Sequence, residues 1–160
     1  MDLTFEISEN EKFNVRSAAL IKYHDNYLIS KREDKDYYSI PGGRISFAED
    51  SKEATLRELK EELNWDIAPN AAKLVRIIEN FFIYKDNQKF HEYLFVYLIY
   101  TPEQYFKQGN FINLENPHMH MEWYKKEDYQ NLNIKPEILK DILNDEDFKH
   151  LIIKDDVLNN

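Results

Sequence analysis

Two segments in the middle of the chain carry the residue types of β-strands. Apolar, β-branched and aromatic residues predominate from Lys73 to Tyr84 and again from Phe90 to Tyr100. The polar residues 85–89 between these segments are typical of a turn. The pattern predicts a long antiparallel pair of strands at the centre of a mixed sheet.

Shorter apolar segments predict further strands. Phe13 to Tyr23 is apolar and β-rich, Asp25-Asn26 is expected to form a turn, and Tyr27 to Ser30 resembles a returning strand. These three segments together predict a hairpin. Glu122 to Tyr124 is expected to add one more short strand.

A helix is predicted in the first half of the chain by its two end signals. Asp50 is a suitable N-cap, and Glu53 three residues later can complete a capping box, so the helix is expected to begin near Ser51. Asn64 occupies the position of a C-cap glycine and tolerates the left-handed conformation. The helix is therefore predicted to end at Asn64.

This helix has two different faces. Its apolar stripe is formed by Leu56, Leu59 and Leu63. Glu58, Glu61 and Glu62 lie roughly opposite, at positions i, i+3 and i+4, where like charges cost about 0.2–0.5 kcal/mol per pair. The leucine face is expected to anchor the helix. The crowded glutamate face is expected to be free to hold a cation.

A second helix is predicted from Pro136 to Asn144, which combines a helix start signal with Leu and Ile at helical spacing. Strands interleaved with two main helices favour an α/β fold with a sheet covered on both faces. The 160 residues contain no repeats or low-complexity linkers, so a single domain over 1–160 is expected. The last few residues, Val157 to Asn160, are expected to fray.

The segment from Gly43 to Trp65 resembles the Nudix box, the signature of hydrolases that cut a nucleoside diphosphate linked to another group. The matching positions are Gly43, Glu49, Arg57, Glu58, Leu59, Glu61, Glu62, Leu63 and Trp65. Asn64 replaces the family's glycine, and Ala48 stands where many members carry glycine. The resemblance implies a Nudix-type α/β/α sandwich with a mixed central β-sheet and the catalytic loop-helix-loop on one flank.

Carboxylate oxygens without sulfur or imidazole favour a hard cation such as Mg²⁺ or Mn²⁺. The resemblance implies that Glu58, Glu61 and Glu62 are metal ligands, with the Gly42 carbonyl as a further ligand. Two consecutive glycines, Gly42 and Gly43, let the backbone approach a phosphate or a metal closely.

The resemblance also implies catalytic roles. Glu61 is the first candidate for the general base, because box glutamates do that work in some members of the family. In other members a glutamate outside the box is the base, and Glu115 and Glu122 are the candidates here. Arg57 resembles the box arginine that braces Glu49 and the catalytic helix, which is an orienting role.

Substrate-binding residues are expected among the basic and aromatic side chains near the box. Arg16, Arg32 and Arg44 are candidates for the phosphates, although ordinary surface positions are the alternative. Tyr38, with its neighbour Tyr37, is a candidate for stacking on a base, and packing in the core or at its rim is the alternative.

Two histidines offer a further candidate group. His118 and His120 are separated by one residue and share a face if the segment is extended. They are candidates for binding metal or substrate, and an exposed loop is the favoured alternative.

Charge and composition restrict the partners. The formal net charge of −9 disfavours general binding of nucleic acid or anionic membranes. The chain has no cysteine, no signal-peptide pattern, and no apolar run longer than the eight residues from Tyr93 to Tyr100, too short for a bilayer-spanning helix. A cytoplasmic enzyme is expected, and the resemblance makes a homodimer reasonable.

The expected substrate is a small nucleotide, for example a nucleoside triphosphate, a sugar nucleotide or a dinucleoside polyphosphate. The alternative is a catalytically silent Nudix-like module that binds a nucleotide or regulates a partner. The intact glutamates favour the enzyme, because a pure binder has no need to tolerate their mutual repulsion.

Overall fold

One mixed β-sheet forms the centre of the computed structural model, which describes residues 1–155. The expected fraying of Val157 to Asn160 lies outside the described residues. The strands are β1 Thr4–Ser8, β2 Glu11–Tyr23, β3 Asn26–Arg32, β4 Tyr38–Ser39, β5 Gly42–Arg44, β6 Ala72–Tyr84, β7 Gln88–Tyr100, β8 Phe111–Ile112, β9 Met119–Lys125 and β10 Lys149–Lys154. Their order is β10-β6-β7-β2-β3-β9-β8, with β1 and β5 paired to β2 and β4 paired to β3.

The predicted antiparallel pair is confirmed as β6 and β7, whose register is interrupted by one irregularity between Leu74 and Arg76. The predicted hairpin is β2 and β3. Its turn lies one residue earlier than expected, because Asn26 already begins β3 and His24 adopts the left-handed conformation at φ 49°. Strand β2 runs parallel to β7, so the sheet is mixed.

Several strands of the sheet were not predicted, and β1 and β10 are the longest of them. Strand β1 pairs antiparallel with the first part of β2. Strand β10 runs parallel to β6, with Lys149 opposite Arg76. Both strands are short and include exposed residues, so they lack the long apolar pattern that identified β6 and β7.

The helices are α1 Ser51–Leu63, α2 Glu103–Phe106 and α3 Lys126–Asn131. The helix predicted from Pro136 to Asn144 is present, but it is a 3₁₀ helix over Glu137–Leu143 and not a second long α-helix. Tertiary contacts fix the end of this segment: the fully buried Arg76 donates to the backbone oxygens of Asp145 and Asp147, at 2.6 and 2.5 Å. Short 3₁₀ pieces are common where packing constrains the chain in this way.

The sheet is covered on both faces, so the structure is an α/β/α sandwich. On one face α1 packs through Leu59 and Leu63 on a core that includes Ala19 and Ile21 of β2. On the other face α3 and the 3₁₀ helix cover a core that includes Leu20. The covering elements are thus one long helix and several short ones, rather than two main helices.

The C-terminal end of α1 rests on an aromatic cluster. The Trp65 ring stacks on Tyr105 at a centroid distance of 4.5 Å and lies 6.4 Å from Trp123. Its Nε1 donates to Gln108 Oε1 at 3.0 Å. This cluster fixes where α1 ends relative to β9. Among the described residues, no helix combines the length and apolar character needed to cross a bilayer.

Candidate active site

Local signals set both ends of α1 as predicted. The Asp50 carboxylate accepts hydrogen bonds from the backbone N–H groups of Lys52 and Glu53, and the Glu53 side chain accepts one from the Asp50 N–H. This is a complete capping box. Asn64 adopts the left-handed conformation, with φ 56° and ψ 35°, and closes the helix.

The glutamate face of α1 is only partly open to solvent. Glu58 and Glu62 are only 9% and 7% exposed. Glu61 remains accessible, with 40% of its side chain exposed. The reason is that α1 packs against the short strand β5, which a helical-wheel argument cannot include.

A fourth carboxylate joins this face from a distant part of the sequence. Oxygen atoms of Glu58, Glu61 and Glu115 all lie within 4.8 Å of one another. Glu115 belongs to the segment between β8 and β9, which is attached to α1 by a hydrogen bond from the Leu114 N–H to the Glu62 carbonyl oxygen at 2.9 Å. Glu115 therefore lies beside the carboxylates of Glu58 and Glu61, and its charge also reaches the buried Glu62.

The two glycines of β5 allow close packing on both sides, Gly43 against α1 and Gly42 against β2. A Cβ at Gly43 would lie 2.2 Å from Glu58 Oε1, and a Cβ at Gly42 would lie 2.3 Å from the Ser17 carbonyl oxygen. Any side chain at Gly43 would therefore displace the Glu58 carboxylate.

Arg57 connects the loop of residues 45–50 between β5 and α1, which we call the box loop, to the acidic cluster of Glu58, Glu61 and Glu115. Its Nε and Nη2 donate to the two Glu49 oxygens at 2.7 and 3.0 Å. Its Nη1 donates to Glu58 and Glu61 at 2.9 and 3.0 Å, and its Nη2 also donates to the Arg44 carbonyl oxygen at 3.1 Å. The guanidinium thus partly neutralises the cluster and holds the loop against the helix.

Three carboxylates of this region have perturbed pKa values. The hydrogen bond from Arg57 lowers the pKa of Glu49. Burial raises the pKa of Glu58. Burial, followed by the nearby charge of Glu58, raises the pKa of Glu62 to about 8, although the Asn113 side chain and the Gly42 backbone stabilise its charged form. The cluster without a cation therefore favours a protonated Glu62 at neutral pH.

The donor set fits a divalent cation. Glu62 Oε2 is buried without a hydrogen-bond partner, and the bare Gly43 position leaves room for the Glu58 carboxylate. The side chains of Glu58, Glu61 and Glu115 offer carboxylate oxygens, which suit Mg²⁺ or Mn²⁺ better than softer ions.

Two of the predicted phosphate-binding residues are neighbours. Arg16 of β2 and Arg44 of β5 lie directly opposite each other in an antiparallel pair, so their side chains share one face of the sheet. Each also forms a long salt bridge: Arg16 Nη1 is 3.8 Å from Glu92 Oε2, and Arg44 Nη1 is 3.9 Å from Asp2 Oδ2. Their side chains are 42% and 49% exposed, so a further anion can reach both guanidinium groups.

The other predicted residues lie elsewhere. Arg32 makes a bidentate contact with Asp34, both distances being 3.1 Å. The Tyr38 ring packs edge-on against Tyr124 at 5.9 Å. Glu122 accepts a hydrogen bond from the Tyr124 hydroxyl at 2.8 Å, outside the carboxylate group that includes Glu115.

Sequence reasoning did not identify Asn113 or Glu33. Asn113 is buried and orders the backbone on either side of Glu115, whereas Glu33 contacts both His118 and His120. The spacing of the two histidines was the available signal, but their partner is some 85 residues earlier in the chain.

Residues 13–144 match the model of the NUDIX domain family. The fold is similar to that of a mutator MutT protein from Bacillus halodurans, with a TM-score of 0.69 and 18% identity over 89% of this chain and 92% of that chain. It is also similar to the dihydroneopterin triphosphate pyrophosphohydrolase of E. coli, with a TM-score of 0.56 and 18% identity over 81% and 91%.

An ADP-ribose pyrophosphatase from Streptococcus suis has a TM-score of 0.54 and 17% identity over 88% of this chain and 98% of that chain. No curated protein matches the sequence. At these identities the solved structures establish a shared fold.

Proposed function

The chain belongs to the Nudix family of pyrophosphohydrolases, and we propose that it uses Mg²⁺ or Mn²⁺ to hydrolyse the pyrophosphate bond of a small nucleotide. The convergence of Glu58, Glu61 and Glu115 beside the buried Glu62 carries this proposal. Such crowding of carboxylates is unfavourable without a cation and favourable with one.

Glu58, Glu61 and Glu62 would hold the metal, with the Gly42 carbonyl as a further ligand, and Glu115 completes the set of nearby carboxylates. When bound, a divalent cation lowers the pKa of water and neutralises charge on the diphosphate. The role of Arg57 is to orient the cluster through Glu49, Glu58 and Glu61.

Glu61 is our first candidate for the general base, which takes a proton from the attacking water on a carboxylate oxygen. Glu115 is the second candidate, because it shares the cluster and does not belong to α1. Loss of the general base removes the acid limb of the pH–rate profile, whereas loss of a metal ligand weakens metal binding. We would therefore measure both the pH–rate profile and the metal affinity of Glu61→Gln and Glu115→Gln. The variant that loses the acid limb identifies the base.

Arg16 and Arg44 form our proposed phosphate site, since two adjacent guanidinium groups on one sheet face attract a polyanion. Arg32 and Tyr38 are proposed as more peripheral substrate contacts. The proposed substrates are nucleoside triphosphates, sugar nucleotides and dinucleoside polyphosphates. Residues 1–160 are proposed to act as one cytoplasmic domain, and a homodimer is the proposed assembly.

A substrate panel tests the function. The purified protein is assayed with nucleoside triphosphates, ADP-ribose, NADH, diadenosine polyphosphates and coenzyme A, with Mg²⁺, with Mn²⁺ and with a chelator. We expect metal-dependent release of phosphate or nucleoside monophosphate, reduced by orders of magnitude in Glu61→Gln. Tight nucleotide binding without turnover would instead identify a binding module.

A further inference from the structure

Residues 113–118, which we call the Glu115 loop, are attached to α1 at their start. The Leu114 N–H donates to the Glu62 carbonyl oxygen at 2.9 Å. The Asn113 side-chain oxygen accepts hydrogen bonds from the N–H groups of Glu115 and Asn116, at 2.8 and 3.0 Å. The backbone around Glu115 is therefore shaped by Asn113 and fixed to the helix that carries the other glutamates.

The far end of the Glu115 loop is held by Glu33. One Glu33 oxygen lies 3.2 Å from His118 Nδ1, and the other lies 2.9 Å from His120 Nε2. The Glu33 N–H also donates to the His118 carbonyl oxygen at 2.9 Å. The hydrogen bond from His120, followed by that from His118, lowers the pKa of Glu33. Both side-chain contacts thus favour the carboxylate form.

Glu33 occupies a specific position in the sheet. The ladder between β3 and β9 ends with Arg32 opposite Met119, and Glu33 is the next residue. The contacts of Glu33 therefore extend the pairing of β3 with β9 by one residue, to His118 at the end of the Glu115 loop. His118 in turn donates its N–H to the Asn116 side-chain oxygen at 3.0 Å, which links the attachment to the interior of the loop.

The position of Glu115 requires such an attachment. Its carboxylate lies within 4.8 Å of those of Glu58 and Glu61, and like charges at this distance repel. A mobile loop would relax by moving Glu115 away from α1. Attachment at both ends keeps the carboxylate near the other two before any cation binds, which is preorganisation of a metal site.

We propose that Glu33 is a positioning residue. It acts through His118 and His120 to hold the Glu115 carboxylate beside those of Glu58 and Glu61. The inference rests on the proposed function of the acidic cluster. Glu33 touches neither substrate nor metal in this role. Its effect should therefore pass entirely through Glu115.

A double-mutant cycle tests this dependence. Mn²⁺ affinity of the metal-free protein is measured by calorimetry, and kcat and KM are measured alongside, for wild type, Glu33→Ala, Glu115→Gln and the double variant. We expect Glu33→Ala to weaken Mn²⁺ binding and lower kcat by roughly tenfold, the lower end of the range for outer-shell partners. In the Glu115→Gln background the same change should have less than about a twofold effect.

Conservative and matched variants separate positioning from general destabilisation. Glu33→Gln keeps the shape and one acceptor oxygen, so it should retain Mn²⁺ affinity within about threefold. Glu103→Ala removes an equivalent exposed carboxylate, paired with Lys107, and should bind Mn²⁺ like wild type. Circular dichroism melts of all variants report whether the fold is intact.

The possible failures are distinct. If Glu33→Ala weakens Mn²⁺ binding equally in both backgrounds, or does not weaken it, the positioning role is overturned. A wild-type protein that binds Mn²⁺ but hydrolyses no substrate overturns the proposed function alone, because the cycle on Mn²⁺ affinity still decides the role of Glu33. A wild-type protein that binds no Mn²⁺ overturns both.

Discussion

Arg57 donates two hydrogen bonds to the carboxylate of Glu49, from Nε to Oε1 at 2.7 Å and from Nη2 to Oε2 at 3.0 Å. The same guanidinium reaches Glu58, Glu61 and the Arg44 carbonyl oxygen. A planar group with five donors can serve all these partners at once, whereas an ammonium cannot. The box loop, β5 and α1 are therefore joined by one side chain.

Replacing this side chain tests its importance. We expect Arg57→Lys to lower kcat by about 10- to 100-fold, because a single ammonium cannot orient Glu49 and Glu58 together. Steady-state kinetics and a thermal melt measure the effect. Glu49→Gln should lower kcat by nearly as much, because it breaks the same contact. The kcat of the double variant should therefore be little lower than that of Arg57→Lys alone. Independent, multiplying effects would argue against the coupling.

Gly43→Ala tests the close approach of β5 to α1. The added Cβ would lie 2.2 Å from Glu58 Oε1, so the carboxylate must move and Mn²⁺ affinity should fall by at least about tenfold. Gly109→Ala is the control, because Gly109 has φ +71° and an open environment. Gly109→Ala should lower the free energy of unfolding by roughly 1–2 kcal/mol, because alanine disfavours a positive φ, and it should leave Mn²⁺ binding unchanged. Normal Mn²⁺ affinity in Gly43→Ala would contradict the packing argument.

The buried Glu62 predicts a pH dependence of stability in the metal-free protein. Its pKa is raised from an ordinary 4.5 to about 8, so folding favours the protonated carboxyl. This stabilisation is fully present below about pH 4.5 and is lost as the pH rises through 8. Thermal melts in a chelator should show the decline in wild type.

Two comparisons identify Glu62 as its source. Glu62→Gln should reduce the decline between pH 5 and 8, because an amide does not titrate over this range, whereas Glu58, whose pKa burial also raises, still contributes. Saturating Mg²⁺ should reverse the trend, because the cation favours the charged carboxylate. The same slope in wild type and Glu62→Gln would refute this assignment.

The adjacent arginines predict a change in substrate affinity. Arg16→Gln and Arg44→Gln should each raise KM by roughly 5- to 10-fold with little change in kcat, since each removes a charge-assisted contact to phosphate. Initial-rate measurements at low ionic strength give both constants. Lys107→Gln removes an exposed charge from α2's C-cap and is expected to leave KM unchanged. An effect confined to kcat would place the arginines in a different role.

The sequence was most informative where a local pattern decides the structure. The limits of α1 were predicted correctly from Asp50, Glu53 and Asn64, because capping depends on residues only a few positions apart. The long β6 and β7 pair followed from two uninterrupted segments of strand-forming residues. These features need no knowledge of the rest of the molecule.

Where distant residues decide, the sequence was less informative. The burial of Glu58 and Glu62 depends on β5, and the 3₁₀ helix at Glu137–Leu143 ends against the buried Arg76. The contact of Glu33 with the histidines joins segments some 85 residues apart. Pairing across such separations is a property of the whole fold, so spacing along the chain does not reveal it.

The chain has two tryptophans, Trp65 and Trp123, and their rings are nearly parallel at 6.4 Å. One directly follows the C-cap of α1, and the other belongs to β9, the strand that follows the Glu115 loop. Intrinsic fluorescence therefore monitors the junction between these two elements without any added label. A change in emission on cation titration would give an optical readout of how closely helix and loop are docked.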